Sequence, residues 1–125
     1  MKNVYILILI TLFTACGNKT DITVLQFKEL LQDSSVQLID VRTPQEFRTG
    51  YLPKAILLDW QNKTDFTAKI QKVNPQKTTA VYCKSGVRSG QAAAYLLKKG
   101  FAKVYTLNGG IDAWVDAEMK IVSGE

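Results

Sequence analysis

Six consecutive residues, Cys83-Lys84-Ser85-Gly86-Val87-Arg88, bring together a nucleophile, two cations and a glycine. The thiolate rather than the thiol is the attacking form of cysteine, and positive charge close by favours it. Lys84 and Arg88 supply that charge. Gly86 lets the chain curl with no side chain in the way. Where such a loop runs into a helix, several backbone N–H groups aim at one point with the positive end of the helix dipole behind them. That cradle would favour an ionised Cys83 and hold an anionic substrate beside it. The competing reading is a buried structural cysteine with Arg88 in solvent, and it gives no reason for glycine, lysine and arginine in this order.

The surrounding pattern is one that would place Cys83 at the edge of a parallel sheet. Thr79 to Tyr82 is an apolar strand delivering the chain to Cys83, and Ser89 to Lys99 carries strong helix signals ending at Gly100. Upstream, Thr23 with Gln26 forms a capping box opening a helix with Val24, Phe27, Leu30 and Leu31 on its apolar side. Val36 to Val41 is a strand. Thr43-Pro44-Gln45-Glu46 is a second capping box with proline at the first helical position, and Gly50 ends that helix. Ala55 to Leu58 reads as a strand, Asp65 to Val73 as a helix, Lys103 to Leu107 as a strand, and a last helix surrounds Ala113, Trp114 and Val115. Apolar strands alternating with helices predict an α/β fold: an open, mostly parallel sheet of about five strands covered on both faces. Ligands bind such sheets beyond the carboxyl ends of the strands, where Cys83 falls.

Composition narrows the alternatives. With 46% apolar and 22% charged residues, the chain has the material for one compact domain and none of the signs of disorder. The formal charge of +5 is spread over separate lysines without an arginine-rich stripe. Small anions are therefore expected as ligands, and nucleic acid is not. Histidine is absent and there are two cysteines, so a transition-metal site would lack its usual ligands and no cofactor is expected. Residues 1–15 read as a signal peptide: Lys2, an apolar run from Val4 to Phe13, then Thr14-Ala15. That run is too short for a bilayer core of about 30 Å.

Leu12-Phe13-Thr14-Ala15-Cys16 resembles a bacterial lipoprotein signal, although the leucine usual three places before the cysteine is Phe13 here. The resemblance implies that Cys16 becomes a lipid-modified N-terminus and residues 16–21 a short tether. It also implies a location on the periplasmic side of the cell envelope, with Gly17 pointing to the outer membrane. An ordinary signal peptide, leaving Cys16 a free thiol, is the alternative. If Cys16 carries lipid, Cys83 has no disulfide partner within the chain. The folded domain is expected over residues 22–118, with 119–125 a C-terminal tail.

Three segments are similar, in order, to signatures of the rhodanese family. Cys83-Lys84-Ser85-Gly86-Val87-Arg88-Ser89 resembles the active-site loop Cys-x-x-Gly-x-Arg-Ser of single-domain rhodanese sulfurtransferases. Leu38-Ile39-Asp40-Val41-Arg42, with Glu46-Phe47 and Gly50-Tyr51-Leu52-Pro53-Lys54-Ala55, resembles the N-terminal signature. Leu107-Asn108-Gly109-Gly110-Ile111-Asp112-Ala113-Trp114 resembles the C-terminal one. A frequent Gly-His-Ile-Pro is replaced by Gly50-Tyr51-Leu52-Pro53. The resemblance implies that Cys83 takes the outer sulfur of thiosulfate or a similar donor as a persulfide, then passes it to cyanide or a thiol. The loop N–H groups of Lys84 to Arg88 would stabilise the anionic sulfur, and Lys84 and Arg88 would orient the donor's sulfonate. Asp40, Arg42 and Glu46 would either brace the loop through ion pairs or touch substrate.

Two rival functions use the same residues. A phosphatase or arsenate reductase loop needs five residues between cysteine and arginine to surround a tetrahedral oxyanion. Here four stand between them, Lys84, Ser85, Gly86 and Val87, and the smaller ring suits a single sulfur. A non-turnover persulfide carrier or redox sensor docking to a membrane partner is the second rival, since such a cysteine also oxidises readily.

Overall fold

The computed structural model describes residues 19–123. Cys16 and the signal-like segment lie outside them. Eleven elements follow in chain order: β1 (Thr20–Ile22), α1 (Val24–Leu30), β2 (Gln37–Asp40), α2 (Pro44–Thr49), β3 (Ile56–Leu57), α3 (Lys63–Lys69), a 3-10 turn (Ile70–Lys72), β4 (Thr79–Tyr82), α4 (Val87–Lys98), β5 (Val104–Leu107) and α5 (Gly110–Asp116). The sheet order is β1-β5-β4-β2-β3 and every pairing is parallel. β4, the strand leading to Cys83, is therefore central, flanked by β5 and β2.

Alternation along the strands divides the core into two layers. Ile39, Val41, Val81 and Cys83 face one side, where Phe66 of α3 and Ala92, Ala93 and Leu96 of α4 cover them. Leu38, Ala80 and Tyr82 face the other, against Phe27 of α1 and Ile111 and Trp114 of α5. The alanines of α4 let this helix lie close to the sheet, which brings its first turn near Cys83. Both capping boxes form: Gln26 N–H donates to Thr23 Oγ1, and Glu46 N–H to Thr43 Oγ1.

Two boundaries differ from those expected. Thr20 and Asp21, read as tether, belong to β1 and pair in register with Tyr105 and Thr106 of β5. Thr106 Oγ1 also donates to Asp21 Oδ1 at 2.8 Å. An edge strand tolerates polar residues, so its pattern resembles a linker. Residues 119–122, read as tail, dock on the domain. Met119 and Ile121 pack on the core, Trp114 Nε1 donates to the Lys120 carbonyl at 2.9 Å, and Val122 bridges to Tyr51.

Candidate active site

Cys83 is the first residue beyond β4, and three residues later the chain turns into α4. Gly86 makes that turn as the helix N-cap with φ +114°, a left-handed conformation that favours glycine. Its N–H donates to Cys83 Sγ at 3.1 Å. Sγ lies 3.4 Å from the hydroxyl of Ser89, which donates to the Gly86 carbonyl at 3.1 Å. The N–H groups of Val87, Arg88 and Ser89 open α4 and have no carbonyl four residues back within the helix. Cys83 is only 1% exposed, while Lys84, Ser85 and Val87 line the surface around it. A reactant must therefore reach the sulfur with a slim terminal atom. Ser89, fully buried beside Sγ, is a site residue that in the sequence stands only as the end of a motif.

A second helix closes the loop from the opposite side. Ile111 and Asp112, in the first turn of α5, donate their N–H groups to the carbonyls of Cys83 and Lys84 at 2.9 and 3.1 Å. With those carbonyls turned toward α5, the chain is fixed just before the Gly86 N–H reaches back to the sulfur. Gly110 makes this contact possible. A Cβ built there would lie 2.6 Å from the Cys83 carbonyl oxygen and closer still to that of Lys84, at φ +60°. Gly110→Ala is therefore expected to cost on the order of 2 kcal/mol or more and to push the loop off α5. Chemical denaturation, with amide exchange at Ile111 and Asp112, reads both effects.

The charged residues singled out in the sequence meet as ion pairs. Asp40 and Arg42 form a buried pair behind the loop, 0% and 4% exposed. Arg42 Nη2 lies 2.7 Å from Asp40 Oδ2, and its Nε bonds Oδ1 at 3.0 Å. Arg42 also donates to the carbonyls of Gly50 and Glu46, pinning α2 at its end and its middle. Tyr82 lies beside this pair and accepts the Leu52 N–H at 3.0 Å. Burial first, and then the nearby Asp40 carboxylate, push its phenol well above the usual range, so it stays neutral. Glu46, held by α2, grips Arg88 through two bonds at 2.6 and 2.9 Å. Lys84 Nζ meets both oxygens of Asp112 at 2.8 and 3.0 Å. The cations expected to receive a sulfonate are thus each paired with a carboxylate.

Arg88, foremost through its hydrogen bonds, holds the Glu46 carboxyl at about 2 against an ordinary 4.5. Because the folded value is the lower one, the pair stabilises the protein above pH 4.5, and that contribution fades as pH falls toward 2. Glu46→Gln is expected to be less stable than the parent near neutral pH, with the gap closing across that interval. Denaturant midpoints measured through the acid range test this.

A cleft of about 250 Å3 opens beside the loop, with Arg42, Glu46, Lys84, Ile111, Asp112 and Val115 among its lining residues. A larger groove of about 580 Å3 lies toward the other end of α4, at Ile70, Tyr95 and Phe101. No cysteine lines it, so chemistry and not size locates the candidate site.

A buried cysteine at the carboxyl end of a central parallel strand, held between two helix N-termini, is the centre on which this α/β domain converges. The rhodanese-like domain family model matches residues 23–117, and the chain belongs to that family. A sulfurtransferase of Allochromatium vinosum is 35% identical over 98 residues, covering 78% of this chain and 89% of the relative. The thiosulfate sulfurtransferase GlpE of Pseudomonas syringae is 36% identical over 86 residues, covering 69% and 78%. A tRNA uridine(34) hydroxylase of Cytophaga hutchinsonii is also 36% identical, over 69% of this chain but 28% of that longer protein. Among solved structures, a rhodanese-related protein of Thermoplasma volcanium superposes with a TM-score of 0.73 at 24% identity, covering 83% of this chain and 98% of its own, which shows the fold. Together the family and its sulfurtransferase members support a transferase of sulfur.

Proposed function

We propose that the protein is a sulfurtransferase that carries sulfane sulfur on Cys83, loaded from thiosulfate or a similar donor. The observation that supports this most is the Gly86 N–H donating to Sγ at 3.1 Å within a loop of only four residues between Cys83 and Arg88. In the loading step the Cys83 thiolate attacks the outer sulfur of thiosulfate. A bond forms between the two sulfurs, the donor's S–S bond breaks, and its electron pair leaves with sulfite. The resulting persulfide anion lies among the loop N–H groups, which act on sulfur as an oxyanion hole acts on oxygen. Cyanide or a thiolate then attacks the outer sulfur, and Cys83 leaves as thiolate.

The acyl group expected on Cys16 belongs to the same reading. It would hold the domain at the periplasmic surface of the cell envelope, within reach of a thiol acceptor there. The test of the reading is the intact mass of the purified protein before and after thiosulfate, followed by cyanide. Gain of one sulfur and its release as thiocyanate support it. No gain with any sulfane donor overturns it.

A further inference from the structure

Both loop cations are already neutralised, and this bears on which donor the site prefers. Arg88 is engaged in two bonds by Glu46, and Lys84 in two by Asp112. The cleft beside the loop is lined by two cations, Arg42 and Lys84, and two carboxylates, Glu46 and Asp112. Its formal charge balances, and Ile111 and Val115 add apolar wall. Asp112 is not a passing surface contact. Its own N–H is bonded to the Lys84 carbonyl at 3.1 Å, so main chain and side chain together hold its carboxylate over the ammonium.

We propose that Asp112 sets donor selectivity: by neutralising Lys84 it disfavours the dianion thiosulfate and makes a low-charge organic persulfide, R–S–SH, the preferred donor. The proposal rests on the sulfurtransferase reading of Cys83. With thiosulfate, the sulfonate must displace a carboxylate from Lys84 or approach it against like charge. An organic persulfide carries no sulfonate: its one ionisable group is the outer S–H, on the sulfur that is transferred. The Cys83 thiolate attacks its outer sulfur, the S–S bond breaks, and the electron pair leaves with the organic thiolate R–S⁻. The proton of the donor's outer S–H stays on the new persulfide, so charge and atoms balance. The Lys84–Asp112 pair is half exposed or more on each side, and pairs so placed are weak, so the selectivity is a matter of several-fold and not of orders of magnitude.

The test compares loading of Cys83 by thiosulfate and by hydroxyethyl persulfide in the parent protein and in Asp112→Asn, which keeps the backbone N–H. In the parent, kcat/KM is expected to be higher for the persulfide. In D112N the ratio of kcat/KM for thiosulfate to that for the persulfide should rise about 3- to 10-fold, mainly through a lower thiosulfate KM. The gain should shrink at high salt. Lys84→Gln in the D112N background should reverse it, which ties the effect to the freed ammonium. Loading with an unchanged or lowered ratio in D112N overturns the selectivity alone. Failure of both donors to load either protein overturns the sulfur-transfer reading and this proposal with it.

Discussion

Cys83→Ser is expected to abolish sulfur loading outright: no ~32 Da gain with thiosulfate or organic persulfide, and no thiocyanate from cyanide. The variant isolates chemistry from folding. Sγ is buried and receives the Gly86 N–H, and a serine hydroxyl can accept the same bond and face the Ser89 hydroxyl as sulfur does. Burying a hydroxyl that keeps its hydrogen bond costs little, about 1 kcal/mol, so the fold and the acid-sensitive Glu46–Arg88 pair should survive. What is lost is the nucleophile. An alcohol has no ionised form near neutral pH, and this loop offers no histidine to activate it. Mass spectrometry of the variant beside the parent, with a melting curve to establish folding, is the measurement. Sulfur retained on the Cys83→Ser variant would place the acceptor atom elsewhere and remove Cys83 from its role.

The parts of this site that were legible in the sequence are the local ones. Thr23 with Gln26 and Thr43 with Glu46 each complete a capping box within four residues, so the starts of α1 and α2 could be read directly. The loop from Cys83 to Arg88 was legible because its glycine and cations are contiguous. Contacts across the fold were not. Lys84 and Asp112 are 28 residues apart, and Glu46 and Arg88 are 42 apart. Their pairing depends on β4 lying beside β5 and β2, a topology that no short window contains. Hence Lys84 and Arg88 read as free cations awaiting an anion, whereas in the fold each has a partner. Thr20 and Asp21 were hidden for a related reason: an edge strand is defined by its neighbour, and β5 supplies it 85 residues on. The sequence leaves Asp40 and Arg42 between bracing and substrate contact, and their burial behind Tyr82 and α2 favours a brace.

That brace gives the largest expected loss of stability. Arg42→Met should destabilise the protein by about 3–5 kcal/mol, because it leaves the fully buried Asp40 without its cation. The Arg42 side chain makes three bonds to Asp40 and one each to the carbonyls of Gly50 and Glu46. Methionine fills similar volume and makes none of them. The double variant Asp40→Leu with Arg42→Met should be more stable than Arg42→Met alone, since replacing both partners removes the orphaned charge. Urea denaturation of the parent and of both variants gives the comparison, and a double variant no better than the single would mean that the bonds to α2, not the buried charge, carry the cost. The functional consequence should not recover with the stability. Without the guanidinium, the carbonyls of Glu46 and Gly50 lose their anchor, α2 loosens, and Glu46 no longer presents its carboxylate squarely to Arg88. Sulfur loading should then be slow in the single and the double variant alike, so a stable double variant that loads at the parent rate would show that α2 is held by packing and owes nothing to Arg42.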